Sequence, residues 1–75
     1  MPIEWIDVTD SQRVDAVGFD RDQETIFVRF KKGGVEWWYS GCPPHLWEQF
    51  IAPGTSKGKF IKDVLDGHTN GRWTG

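Results

Sequence analysis

Residues Gly33–Pro44 read GGVEWWYSGCPP, and Gly54–Phe60 read GTSKGKF. The first stretch opens on a two-glycine turn, runs through an aromatic strand and ends on Pro43-Pro44, where the first turn of a helix tolerates proline. From there the period changes, because Leu46, Trp47, Phe50 and Ile51 recur at helical spacing until Ala52-Pro53-Gly54 stops them. Thr55 or Ser56 then stands ready to cap a second helix, whose stripe is Phe60, Ile61, Val64 and Leu65 and whose end is set by Gly67.

Before Gly33, the runs Val14–Phe19 and Thr25–Lys31 are rich in β-branched and aromatic residues and are separated by Asp20-Arg21-Asp22-Gln23. Ile26, Val28 and Phe30 alternate with Phe27 and Arg29; in the strand Val35–Ser40, Val35, Trp37 and Tyr39 alternate with Glu36 and Trp38. These three strands predict an antiparallel meander with one continuously apolar face. The two helices, each of about ten residues, are too short to stand alone in water and must lay their stripes on that face. The expected architecture is α+β, a three-stranded meander followed by two helices (β-β-β-α-α). Residues 11–67 form the domain, 1–10 an N-terminal extension and 68–75 a Gly-rich flexible tail with Trp73 as its anchor.

A chain of 75 residues holds one domain and buries only about 60% of its unfolded surface. Five Trp, five Phe and one Tyr supply its core. Cys42 is the lone cysteine, so no internal disulfide forms, in keeping with a reducing cytoplasm. The first residues carry acids where a secretory signal carries Lys or Arg, and no apolar run approaches membrane-spanning length. A soluble, cytoplasmic protein without a membrane partner is expected. Nine Lys and Arg against eleven Asp and Glu give a net charge of −2, which excludes a strongly basic nucleic-acid binder. The acids crowd between Glu4 and Glu24, however, while Arg29, Lys31, Lys32, Lys57, Lys59 and Lys62 come later and leave room for an anionic partner.

Several local features carry more than this pattern: Val17-Gly18-Phe19 followed by Asp20, Phe30 before the Gly33-Gly34 turn, and Trp37-Trp38-Tyr39. Gly41-Cys42-Pro43 and Ser56-Lys57-Gly58 with Phe60 complete the set. With these residues, the chain from about Ser11 to Gly67 resembles the KTSC domain, which is named for its place at the C-terminus of some lysyl-tRNA synthetases and also occurs as a stand-alone bacterial or phage protein. Its central Tyr-x-Tyr motif falls on Trp37 and Tyr39, its Gly-Val-Pro on Gly41, Cys42 and Pro43, and its Ser-x-Gly step on Ser56 and Gly58 before Phe60. The resemblance implies the β-β-β-α-α fold and, by association with synthetases, RNA binding. Trp37 in place of tyrosine removes a hydroxyl, so no role of that hydroxyl carries over. Cys42 in place of an aliphatic residue is conservative at a buried site.

Two sites follow from the residues. Alternation sends Trp38 to the face that carries Phe27 and Arg29, and an aromatic pair rimmed by Arg29, Lys31 and Arg13, with Lys32 beside it, has the composition of a base-stacking platform. The same face is open to two other readings. The N-terminal segment covers it through Trp5, Ile6 and Val8, or a second copy of the chain does. The other site is the start of the second helix. There Lys57 and Lys59 meet the positive end of the macrodipole at a cost of roughly 0.3–1 kcal/mol each. A phosphate held by the Thr55 and Ser56 hydroxyls, free amides and both lysines, with Lys62 a turn on, would offset that cost. The plainer reading has the lysines solvated and Gly58 present for close helix packing.

GTSKGKF is not a nucleotide-hydrolysing phosphate loop. Its glycines are too close, Phe60 follows Lys59 where Ser or Thr is required, and a helix precedes it in place of a strand. Cys42 and His45 are a poor metal pair, and neither Cys42 nor Ser40 has an identifiable base. The sequence therefore predicts a small non-catalytic binding module without cofactor or metal. Its partner is RNA or another nucleic acid; the alternative is a protein, either a host factor met by a phage-encoded chain or a second copy.

Overall fold

Gly33 and Gly34 both take left-handed backbone, with φ of 74° and 62°, and the hairpin they turn is closed by the Phe30 amide donating to the Val35 carbonyl at 2.8 Å. Around this hairpin the computed structural model describes residues 3–9 and 11–74. The elements are β1 (Glu4–Asp7), β2 (Val14–Asp20), β3 (Thr25–Phe30), β4 (Glu36–Tyr39), α1 (Pro44–Ile51), α2 (Lys57–Asp63), a 3-10 turn (Leu65–Gly67) and β5 (Asn70–Arg72).

The sheet is an antiparallel meander in the order β1-β2-β3-β4-β5. The three strands expected from sequence are its centre. The two that were not expected lie at its edges, in the segments read as an extension and a tail. Asp7 pairs with Ala16 and Glu4 with Phe19, while Trp37 pairs with Arg72 and Tyr39 with Asn70. Neither edge strand has the β-branched alternation of a free-standing strand, and both form because β2 and β4 offer unpaired backbone N–H and C=O groups.

Alternation assigns the faces as predicted. Val17, Phe19, Ile26, Val28 and Tyr39 point to the helices and are buried. An irregularity between Val14 and Ala16 in the pairing of β2 with β3 puts the fully buried Val14 into the same core and leaves Asp15 exposed. The helices close this face from above. Pro44 stands at the first turn of α1, Trp47 stacks on Phe19 with centroids 5.3 Å apart and planes 8° off parallel, and Phe50 packs 5.1 Å from Phe60.

The second helix is shorter than its stripe suggested. Val64 is its C-cap, donating its amide to the Phe60 carbonyl, and Leu65, fully buried, reaches the core from the 3-10 turn that follows. Cys42 is also fully buried, as the substitution for an aliphatic residue required. Its amide donates at 2.7 Å to the carbonyl of Glu24, a non-glycine residue held at φ 50°.

Candidate functional site

On the face away from the helices, one row crosses all five strands in register: Trp5, Gly18, Phe27, Trp38 and Gly71. Each glycine is the seat of an indole. A Cβ on Gly18 would lie 2.5 Å from Cγ2 of Ile3 and 3.2 Å from Cδ2 of Trp5, and one on Gly71 would lie 2.8 Å from Cζ2 of Trp38. Trp73, just beyond β5, turns its ring edge-on to Phe27 at 4.8 Å, and Trp5 approaches Phe27 from the other side at 6.3 Å.

The row changes the expected platform. Phe27 and Trp38 do sit side by side, but Phe27 is only 4% exposed because Trp5 and Trp73 cover it, so it offers no surface to a base. The half-buried rings of this face are Trp5, Trp38 and Trp73. The N-terminal segment does not fold across the sheet; it extends the sheet sideways. Of the three residues expected to cover the face, Trp5 does so, Val8 joins the opposite core and Ile6 is 43% exposed.

Arg29 is engaged within the face. Its Nε donates to Oε2 of Glu36 at 2.9 Å, and its guanidinium lies 4.8 Å above the Trp5 ring. Lys31 and Lys32 are exposed in the turn between β3 and β4. Trp37, on the helix side, uses its indole N–H to bond Oδ1 of Asn70 at 3.0 Å, so the residue that replaces a tyrosine helps to fasten β5.

The predicted phosphate cradle is spent on the fold. The Ser56 hydroxyl accepts from the Lys59 amide at 3.4 Å, the Thr55 hydroxyl donates to the Gln49 carbonyl at 3.0 Å, and Nζ of Lys57 donates to the Thr55 carbonyl at 3.4 Å. Lys57 is 8% exposed, its stem laid on the core with the ammonium 6.0 Å from the Phe50 ring. Lys59 and Lys62 alone among the predicted cradle lysines are exposed. Gly58 faces Arg13, whose Cδ would be 3.7 Å from an added Cβ. These groups lie on the helix side of the sheet, so the residues expected to form one nucleic-acid surface are divided between two faces.

Sequence reasoning missed a third locus. Arg13, Phe30, Tyr39, Gly58, Ile61, Lys62 and Asp66 line a cavity of about 420 Å³. Burial, with the Asp66 carboxylate as a second cause, pushes the Tyr39 phenol from 10.0 up to about 12. A raised phenol pKa favours the neutral form in the folded state. The resulting stability is complete below pH 10 and is lost as pH rises from 10 towards 12. Because the chain has one tyrosine, absorbance at 295 nm should show a single phenol titrating near pH 12, with urea stability falling over the same interval; a phenol titrating at 10 contradicts the burial.

The Cys42 thiol donates to the carbonyls of Tyr39 and Ser40 at 3.5 and 3.7 Å, and burial pushes its pKa up, away from the thiolate. Among the described residues no group of three or more His, Cys, Asp or Glu is placed to hold a metal ion, and no helix is long and apolar enough to cross a membrane.

The family model of the KTSC domain matches residues 10–68. The crystal structure of a KTSC domain protein from Yersinia pestis superposes with a TM-score of 0.84 at 24% identity, covering 97% of this chain and 100% of its own. At that identity the likeness speaks to the fold, and its extent takes in the edge strands that lie outside the family match. No curated protein matches the chain.

Proposed function

The chain belongs to the KTSC domain family, and on that premise we propose that it is a non-catalytic module that binds single-stranded nucleic acid, RNA foremost, on the indole face of its sheet. The observation that carries this reading is the set of half-buried rings Trp5, Trp38 and Trp73 on one face, with exposed Lys31 and Lys32 in the turn joining its central strands. Indole faces stack on any base, and flanking ammonium groups meet the backbone phosphates. The buried, protonated Cys42 supports the non-catalytic part.

The test is an NMR titration of the five Trp indole N–H signals with a short mixed-sequence RNA at low and then physiological salt. Trp5, Trp38 and Trp73 should shift, the core residue Trp47 should not, and the affinity should fall steeply with salt. Trp38→Ala should weaken binding by about 1–3 kcal/mol with the fold intact. Absence of shifts at low salt, or indifference to Trp38→Ala, sinks the proposal.

One observation favours a second reading. Arg29, the cation at the centre of the face, is paired with Glu36, which leaves the indoles suited to an apolar protein surface. Under that reading binding is insensitive to salt, and concentration-dependent size identifies a second copy as the partner.

A further inference from the structure

We infer that the cavity bounded by Arg13, Tyr39, Lys62 and Asp66 is a binding site for the phosphate group of a nucleotide-sized ligand. Tyr39 is 3% exposed, and its place in the sheet is fixed by pairing with Ile26 and Asn70. Buried polar groups are almost always hydrogen-bonded, and no buried side-chain N or O among the described residues lacks a partner. Yet the Tyr39 hydroxyl bonds to none of those residues. Tyr39 lines the cavity together with Arg13, Lys62 and Asp66.

Arg13 is positioned for the same space. Its amide and that of Val14 donate to the Ser11 hydroxyl at 3.3 and 3.1 Å, and its carbonyl accepts from the Lys31 amide at 2.9 Å. The side chain then runs past Gly58. Neither Arg13 nor Lys62 is within ion-pair distance of an acid among the described residues, where the one salt bridge is that of Arg29 with Glu36. Among the described residues that line the cavity, two cations stand against the single carboxylate of Asp66.

A guanidinium fork, an ammonium and a phenol O–H make a donor set suited to a tetrahedral oxyanion. Asp66 accepts from a neighbouring hydroxyl of the ligand, and Phe30 and Ile61 supply an apolar wall. A volume of about 420 Å³ falls in the range of small-molecule pockets, roughly 300–1,000 Å³. The site lies across the sheet from the indole face and stands independently of it.

The single tyrosine makes the test direct. Protein carrying 13Cζ-tyrosine is titrated with sodium phosphate and with AMP, each at constant ionic strength maintained with sodium chloride. A saturable shift of the Tyr39 signal is expected, with AMP bound at least as tightly as inorganic phosphate. Arg13→Gln should weaken both by about tenfold. Tyr39→Phe should keep the melting temperature of the parent, since no hydrogen bond to a described residue is lost, while calorimetry records weaker binding of phosphate. Trp38→Ala, which interrogates the indole face, should leave the tyrosine response unchanged. No saturable shift beyond that of chloride, exclusion of AMP, or a marked drop in the melting temperature of Tyr39→Phe would each overturn the inference.

Discussion

Replacing Phe50 by alanine is expected to cost about 3–5 kcal/mol, read as a fall in the urea midpoint with little change in slope. A domain of this size has roughly 4–11 kcal/mol of stability at 0.05–0.15 kcal/mol per residue, so the variant should lose a large fraction of its stability. Phe50 is fully buried and touches more than one element: its ring lies 6.3 Å from Trp47 of its own helix and 5.1 Å from Phe60 of α2. The helices are eight and seven residues long, below the length at which a helix holds in water. Their stability is therefore the stability of their packing, and a cavity at Phe50 loosens both from the sheet together. Phe50→Leu, which keeps much of the volume, should lose far less. A cost below about 1 kcal/mol for the alanine variant would mean that the site collapses freely, against the packing described.

The parts of this fold that could be read from the chain are those whose signal lies in single residues at fixed spacing. Ile26, Val28 and Phe30 declare a face by alternation, and Leu46, Trp47, Phe50 and Ile51 declare a helix by their period. The edge strands declare nothing of the kind, because Glu-Trp-Ile-Asp and Asn-Gly-Arg become strands only when a neighbour presents its backbone. Exposure fails for the same reason. Alternation placed Phe27 on the correct face, but what covers it comes from both ends of the chain, and pairing register decides that Trp5 and Trp73 arrive there. A signal was nonetheless present. An isolated glycine inside a strand marks the close approach of something large, and Gly18, inside the strand Val14–Phe19, was that signal. Lys57 shows the opposite error. It was counted as a charge, whereas its long apolar stem is what the fold uses, and its ammonium is satisfied by the Thr55 carbonyl. Tyr39 was assigned to the core by its alternation, and only the fold shows that it also lines a cavity with Arg13 and Lys62.

Gly71→Ala is expected to destabilise the domain by about 1–3 kcal/mol, the usual cost of overpacking, and to do so by unseating Trp38. The added methyl would lie 2.8 Å from Cζ2 and 3.0 Å from Cε2 of that ring. An indole cannot flex away as a lysine stem can, so the ring must turn out of its place or β5 must draw back. β5 is held by pairing at Trp37, Trp38 and Tyr39, and Trp73 follows it onto Phe27, so either adjustment disturbs the whole indole face. The NMR signals of Trp38 and Trp73 should both move, while that of Trp47 should not. Gly67→Ala is the control: an added Cβ there meets nothing within 4 Å and should change stability by less than about 0.5 kcal/mol. The pair also bears on function. Gly71→Ala removes no ring and no charge, so if the indoles are a stacking surface their arrangement alone must matter, and the variant should lose RNA affinity to the degree that Trp38→Ala does. Full retention of affinity with Trp38 displaced would show that the face is not where the nucleic acid binds.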